Sequence, residues 1–134
     1  MIVVDSSAWV DFLNGRDVAH ARRLYALIGT QRIIVGDLML CEVLQGLRSE
    51  RHASEVEALL RRFDIVAMGG TETAIAAARN FRDLRARGFT IRKTIDLLIG
   101  TWCILNQLPL LHNDRDFAPM VQHLGLIEEL GEPI

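Results

Sequence analysis

The chain opens with the stretch MIVVDSS, residues 1–7, and this stretch predicts how the fold is built. The apolar run of residues 1–4 is short and stops at Asp5, which is typical of a β-strand buried on both faces. Ser6 or Ser7 is predicted to cap a short helix that extends to Leu13. A buried strand that leads directly into a helix is typical of a parallel α/β sheet.

The same alternation of apolar runs and amphipathic segments continues along the chain. Further strands are predicted at residues 33–35, 64–68, 108–111 and, as a short edge strand, 126–129. Further helices are predicted at residues 17–28, 38–47, 49–63, 71–87, 94–107 and 116–124, with Asp37 and Thr94 as N-caps. The pattern therefore predicts an α/β fold, a three-layer α/β/α sandwich with a mostly parallel sheet of four to five strands.

Length and composition predict one globular domain, residues 1–134. Half of the 134 residues are hydrophobic and 24% are charged, which excludes a disordered chain. The most apolar stretch, residues 97–105, is far shorter than the roughly 20 residues that cross a bilayer. The N-terminus also lacks the basic region of a signal peptide. We therefore expect a cytoplasmic protein that does not enter the membrane.

The cysteines and most histidines are assigned structural roles. Cys41 and Cys103 each lie in an apolar periodic run, without the spacing of a disulfide framework or a zinc site. Two buried free thiols are therefore expected. His20 and His52 occupy helical positions typical of a solvated surface, and His123 lies late in a helix.

Five acidic residues are predicted to meet at the carboxyl edge of the sheet. In a parallel sheet every strand ends at this edge, and the helix that follows a strand begins there. The preference for right-handed crossovers allows the first and fourth strands to be neighbours where the strand order reverses, the point at which open α/β sheets bind ligands. The five acids follow these two strands or lie in early helical turns: Asp5, Glu42, Asp96, Asp114 and Asp116.

This convergence predicts a divalent metal site. Neighbouring carboxylates repel one another unless cations neutralise them, and oxygen ligands suit Mg²⁺ or Mn²⁺. Taken one at a time, each acid also fits an ordinary role at a strand end, in a first helical turn or as an N-cap. The five together favour a metal centre, whereas Asp11, Asp17 and Asp37 are assigned ordinary roles.

Four short motifs resemble those of the PIN-domain nucleases and, within that family, the VapC-type toxins of bacterial toxin–antitoxin pairs. They are IVVDSS (2–7), CEVLQG (41–46), TIDLLI (94–99) and LLHNDRDF (110–117). One such motif is a weak signal, but four in the family's order and spacing are specific. The resemblance extends over nearly the whole chain.

The resemblance implies catalytic and metal-binding roles for the five acids: Asp5, Glu42, Asp96, Asp114 and, as a frequent fifth acid, Asp116. It also implies that Ser6 or Ser7 places a hydroxyl near the metal ion. The chain departs from the family at His112, where many members carry Ser or Thr. We expect His112 to be a strand-end residue rather than a ligand, since an all-oxygen Mg²⁺ site does not call for imidazole.

The function implied is that of a divalent-metal-dependent endoribonuclease, the toxin component of a VapBC-type pair. A metal-activated water would hydrolyse the RNA phosphodiester bond, and no side-chain nucleophile is required. Two other classes remain open. One is a non-catalytic module that binds nucleic acid or protein. The other is a Mg²⁺-dependent phosphoacceptor signalling domain, which usually needs a lysine after the last core strand, whereas the only lysine here, Lys93, lies on another segment.

The distribution of positive charge favours an RNA substrate more than the net charge does. The net charge is −2, but fourteen of the fifteen basic residues are arginine, which suits bidentate phosphate contacts. Six bases fall within fifteen residues: Arg79, Arg82, Arg85, Arg87, Arg92 and Lys93. A solvated helix face explains them equally well. We assign Arg92 and Lys93, with Ser6 and Ser7, to substrate binding, and tRNA is one candidate substrate.

Two partners are implied by the resemblance, a second copy of the chain in a homodimer and a small cognate antitoxin of the VapB type. The predicted helices 38–47 and 49–63 carry more apolar side chains than one buried stripe needs. These side chains are Leu38, Met39, Leu40, Val43, Leu44, Leu47, Val56, Leu59, Leu60 and Phe63. They form either a groove for a partner helix beside Glu42 or a deep part of the monomer core.

Overall fold

A computed structural model describes residues 1–129 of the chain, in which a five-stranded sheet lies between two helical layers. The strands are β1 (Ile2–Val4), β2 (Ile33–Gly36), β3 (Asp64–Val66), β4 (Leu110–Leu111) and β5 (Glu128–Glu129). Every neighbouring pair is parallel, and the order is β3-β2-β1-β4-β5. The predicted α/β/α sandwich is confirmed. Residues 130–134, the end of the predicted domain, lie outside the described residues.

The helices of residues 1–129 follow the predicted positions, with ends that differ by a few residues. They are α1 (Ser6–Leu13), α2 (Ala19–Leu27), α3 (Asp37–Gln45), α4 (Glu50–Leu60), α5 (Thr71–Ala86), α6 (Thr94–Asn106) and α7 (Ala118–Leu124). A short 3-10 turn, Arg115–Phe117, precedes α7. Across the part of the chain described, no helix has both the length and the apolar character needed to cross a membrane.

The central strand β1 is buried on both faces, as its unbroken apolar run predicts. Side chains of a strand alternate between the two faces of the sheet. Val3 accordingly lies in one core cluster with residues of α5, α6 and α7, while Ile2 and Val4 lie in the other with residues of α1, α2 and α4. The two helical layers thus fix β1 from both sides.

The strand order reverses between β1 and β4. From β1 the chain adds β2 and then β3 on one side, and β4 and β5 are added on the other. Val3 pairs with Leu110 and Val4 with Leu111, so both strands end together at the same edge. The predicted neighbourhood of the first and fourth strands is confirmed, and it opens a crevice at that edge.

Three helix caps differ from the sequence prediction. Asp5 itself caps α1, because its carboxylate accepts a hydrogen bond from the backbone N–H of Ser7, so neither serine is the N-cap. Asp37 lies inside the first turn of α3, and its Oδ1 instead accepts the N–H of Met68 at 3.0 Å. Thr94 is the first residue of α6, whose N-cap is Lys93. The role of Asp37 thus depends on Met68, a partner that is distant in sequence.

Burial corrects two assignments. His20 is buried rather than at the surface and has a structural role, since its Nε2 lies 2.5 Å from Oδ2 of Asp11, which is buried as well. Cys103 is buried as expected, but Cys41 is exposed. Cys41 lies on the outer side of α3, whose buried residues are Met39 and Val43. His52 and His123 are exposed, in agreement with the prediction.

Candidate metal centre and nucleic-acid cleft

A cavity of about 410 Å³ opens at the carboxyl ends of β1 and β4. Five acidic residues line it: Asp5 after β1, Asp11 on α1, Glu42 on α3, Asp96 on α6 and Asp114 after β4. Ser6, Ser7 and Asn113 add polar groups, and Arg16 and Lys93 add positive charge. The topology therefore collects in one place residues that are up to 109 positions apart in the sequence.

The five predicted acids fall into two overlapping groups. Carboxylate oxygens of Asp5, Glu42 and Asp96 lie within 4.8 Å of one another. Those of Asp96, Asp114 and Asp116 form a second set within the same distance. Asp96 belongs to both, so the structure brings together all five acids that the sequence singled out.

Serine hydroxyls hold the first group. Ser7 Oγ donates to Asp5 Oδ2 at 2.6 Å, and the Ser7 backbone N–H donates to the same oxygen at 3.1 Å. Ser6 Oγ donates to Glu42 Oε1 at 3.1 Å. The two hydroxyls are thus engaged with carboxylates that line the cavity. Both serines therefore lie at the site, where their hydroxyls orient the carboxylates of Asp5 and Glu42.

Burial and the charges of neighbouring carboxylates raise the pKa values of three of the acids, Asp96, Asp5 and Glu42. The pKa of Asp96 rises to about 7, first because the side chain is buried and then because Asp5 and Asp114 are negatively charged. Burial also raises the pKa of Asp5, and burial followed by the charge of Asp5 raises that of Glu42. Without a cation, Asp96 is therefore partly protonated at neutral pH.

The donor set fits a hard divalent cation. All ligand atoms of the two groups are carboxylate oxygens, the type that Mg²⁺ and Mn²⁺ prefer. Among residues 1–129, Asp5 Oδ1 and Asp96 Oδ2 are buried and have no hydrogen-bond partner. Buried carboxylate oxygens without a partner are costly, and a bound cation would satisfy them.

The cations assigned to substrate binding lie on two sides of the acids. Lys93 lines the acidic cavity, and its positive charge offsets a small part of the rise in the pKa of Asp96 and Glu42 that burial causes. Arg92 lines a second cavity of about 630 Å³, together with Arg115, Asn113, Asp114 and Asp116. The two cavities share Asn113 and Asp114, so a continuous polar surface crosses the site.

The other members of the basic cluster are not at this site. Arg82 and Arg85 line a different cavity, between α5 and α6, and Arg87 pairs with Asp83 at 2.8 Å. Arg79 lies exposed on α5. Of the six basic residues predicted to contact RNA, only Arg92 and Lys93 therefore lie beside the acids.

Sequence reasoning missed a buried polar network next to the acids. Asp11 bonds His20, lies 3.4 Å from Arg16 and accepts a weak hydrogen bond from Asn113 Nδ2, also at 3.4 Å. The Asn113 backbone N–H donates to Ser7 Oγ at 2.9 Å. Asn113 is next to Asp114, a signal that was available, but nothing in the local pattern marks Asp11 or His20.

Comparison with known proteins agrees with this geometry. The family model described as PIN domain matches residues 2–120. Ribonuclease VapC11 of Mycobacterium tuberculosis is 27% identical over 119 residues, which cover 87% of this chain and 89% of the relative.

Solved structures share the fold. The structure of VapBC2 from Rickettsia felis bound to a promoter DNA fragment has a TM-score of 0.76 at 20% identity and covers 96% of this chain and 98% of that chain. VapC20 of Mycobacterium tuberculosis, described as a sarcin-ricin loop cleaving toxin, has a TM-score of 0.67 at 18% identity and covers 97% and 99%. Since the family model spans all four motifs and the five acids, the chain belongs to the PIN domain family.

Proposed function

We propose that this chain is a divalent-metal-dependent endoribonuclease and the toxin of a VapBC-type toxin–antitoxin pair. The observation that carries the proposal is the pair of carboxylate groups that share Asp96 at the reversal of the strand order. The similarity to a VapC ribonuclease along most of the chain supports the same activity. Such a protein acts in the cytoplasm, which is the compartment we propose.

Asp5, Glu42 and Asp96 would hold the cation, and Asp114 and Asp116 would extend its site. When bound, Mg²⁺ or Mn²⁺ lowers the pKa of a water and stabilises charge on the phosphate during in-line attack. Ser7 and Ser6 keep one oxygen of Asp5 and one of Glu42 hydrogen bonded, which fixes the directions of both carboxylates. The described residues offer this chemistry without a side-chain nucleophile.

The substrate we propose is single-stranded or looped RNA, with tRNA as one candidate. Lys93 in the acidic cavity and Arg92 with Arg115 in the second cavity would contact phosphates of the RNA strand. Within residues 1–129 neither Arg92 nor Arg115 is engaged in an ion pair, so both guanidinium groups are available for phosphate. The three cations offset the repulsion between RNA and the acids.

The partners we propose are a VapB-type antitoxin and a second copy of the chain. A groove between α3 and α4 is lined by Leu44 and Leu47, with Glu50 and Glu57 at its polar positions. Leu59 of α4 and Phe63, which follows that helix, line an apolar cavity of about 530 Å³ with aromatic residues of α1 and α2. An amphipathic antitoxin helix suits such a surface.

The activity is tested by incubating total cellular RNA with purified protein and Mg²⁺, Mn²⁺ or EDTA. Wild-type protein is expected to cleave RNA with either cation and not in EDTA. Asp5→Asn and Asp96→Asn are expected to lose at least about a hundredfold in rate, because water activation depends on the ion. Asp17→Asn is the matched control, since Asp17 is exposed and pairs with Arg22 away from the site.

Two results would contradict the proposal. A folded wild-type protein that binds RNA and cleaves none of it with either cation would favour the binding module. Transfer of a phosphoryl group from a small phosphodonor to Asp5 would favour the signalling domain. The second result carries weight because Lys93, although it lies outside the expected segment, does line the acidic cavity.

A further inference from the structure

Side-chain acceptors bind the backbone of the segment that carries Asp114 and, in the 3-10 turn, Asp116. The backbone N–H of Asn113 donates to Ser7 Oγ at 2.9 Å, and that of Asp114 donates to His112 Nδ1 at 3.1 Å. The N–H of Asp116 donates to Asp114 Oδ1 at 2.9 Å. Three of four consecutive backbone donors are thus fixed by named acceptors, and two of those acceptors are metal-site residues.

His112 can make its two contacts in only one neutral tautomer. A backbone N–H can only donate, so Nδ1 of His112 must accept and cannot carry the ring proton. The proton therefore lies on Nε2, which is 2.9 Å from Glu128 Oε2, a carboxylate acceptor. The two contacts require the same tautomer and support each other.

The surroundings leave the imidazole little freedom. Its side chain is 9% exposed, and its ring lies 4.8 Å from that of Phe117. Glu128 is anchored in β5, where it pairs with Leu110 of the neighbouring strand. Because both ring nitrogens are engaged, His112 has none left to bind a metal ion.

We infer that His112 and Glu128 form a positioning pair that fixes the backbone of Asp114 and, through it, the second carboxylate group of the metal site. The inference rests on the proposed metal-dependent function. Glu128 orients the ring and selects its tautomer, the ring binds the Asp114 N–H, and Asp114 Oδ1 in turn binds Asp116. An edge strand that contributes no metal ligand thereby controls two of them.

The metal-binding test compares three variants by calorimetric titration with Mn²⁺. Glu128→Leu removes the acceptor and is expected to weaken Mn²⁺ binding by about tenfold. Glu128→Gln keeps an acceptor oxygen and is expected to stay within about twofold of wild type. Glu129→Leu is the matched control, because Glu129 is the next residue of the same strand and pairs with Arg23 rather than His112. It is expected to retain wild-type affinity.

A second measurement needs no metal. The ¹⁵N shifts of the His112 ring are expected to show protonated Nε2 and unprotonated Nδ1 in the wild type and in Glu128→Gln. The Asp114 amide is expected to be protected from hydrogen exchange in both and to lose protection at least about tenfold in Glu128→Leu.

The outcomes separate the two proposals. If wild-type protein binds no Mn²⁺, the proposed metal site fails, while the ring shifts and amide exchange still decide whether the positioning pair exists. A proton on Nδ1 in the wild type would overturn the pair. Equal Mn²⁺ affinities for Glu128→Leu and Glu129→Leu would overturn the role of the pair at the metal site. An Mn²⁺ affinity of Glu128→Gln as low as that of Glu128→Leu would overturn it as well.

Discussion

Asp96 belongs to both carboxylate groups, and its pKa reflects that position. The side chain is 3% exposed, and α6 places it in the first helical turn, above an apolar segment that packs into the core. Its pKa rises to about 7 because of burial and the nearby charges of Asp5 and Asp114. Protons and divalent cations therefore compete for the same oxygens, and this competition gives the site a pH dependence.

In EDTA, the free energy of unfolding is expected to fall as the pH rises from about 4 to about 7. The unfolded Asp96 releases its proton near 3.8 and the folded residue near 7, so the folded state binds the extra proton throughout this window. Asp5 and Glu42, whose pKa values are also raised, act in the same direction. Mn²⁺ should offset the loss increasingly as the pH rises.

Thermal melts between pH 4.5 and 8, with EDTA or Mn²⁺, measure both effects. Asp96→Asn should flatten the pH dependence in EDTA and reduce the gain in Tm from Mn²⁺. In Asp17→Asn, which changes an exposed acid, the Tm in EDTA should still fall with rising pH and Mn²⁺ should still raise it. Identical pH slopes for wild type and Asp96→Asn would contradict the raised pKa, and a Tm that ignores millimolar Mn²⁺ would contradict the metal site.

The helices α3 and α4 show why an apolar composition alone does not distinguish core from docking surface. Of their apolar residues, Met39, Val43, Val56 and Leu60 are buried in the two cores. Leu44 is only partly buried and lines the groove between the helices. The core interpretation therefore holds for the buried face, whereas docking of a partner helix on the other face stays a prediction.

Arginine substitutions on these two faces are expected to behave differently. Leu60→Arg should unfold the isolated protein, because it places a charge where the side chain is 0% exposed, at a cost of several kcal/mol (~3 or more). Leu44→Arg should keep the fold and lose the complex with the antitoxin encoded by the neighbouring gene. Leu105→Arg is the control, since Leu105 is 53% exposed on α6.

The readouts are the Tm of each isolated variant and copurification of the antitoxin from coexpression. If Leu44→Arg unfolds the isolated chain, the α3–α4 groove belongs to the core. A Leu44→Arg protein that still copurifies the antitoxin as well as Leu105→Arg does would place the partner elsewhere.

The net charge of the chain does not show how its charged side chains are distributed over the surface. The net charge is −2, yet many surface arginines are paired with acids in residues 1–129, as in the Arg51–Glu55 and Arg61–Glu57 pairs within α4. Arg92, Lys93 and Arg115 beside the acids form no ion pair within residues 1–129, so neutralising the acids with a metal ion leaves a positive surface there. RNA affinity should therefore depend on a few residues rather than on the total charge.

Binding of single-stranded RNA by the inactive Asp96→Asn chain, measured as a function of salt, tests this distribution. Adding Arg92→Gln or Arg115→Gln should weaken binding and reduce the log–log salt slope by about 0.7, the value for one phosphate contact on a single strand. Arg48→Gln, which removes an exposed arginine that lines neither of the two cavities, should leave the slope unchanged. Equal slopes for all three would show that phosphate contacts are not made at this cleft.

The order of strands and helices and the convergence of the acids were predictable because they depend on local rules. A four-residue apolar run specifies a buried strand, and parallel strands all end at one edge, so Asp5 and Asp114 had to lie there together. The spacing within helices added Glu42 and Asp96 to the same edge. The handedness of the crossovers allowed β1 and β4 to be neighbours, and the structure shows that they are.

The partners of single polar groups were not predictable in this way. Asp37 binds Met68, His20 binds Asp11, and His112 binds Glu128, and each pair joins residues from different elements. Hydrophobic periodicity predicts which face of a helix or strand is buried, but it does not predict which hydrogen-bond donor lies opposite which acceptor. A buried polar group must find a partner, and that partner is chosen by the packing of whole elements against each other, because only the assembled fold brings such atoms within hydrogen-bond distance.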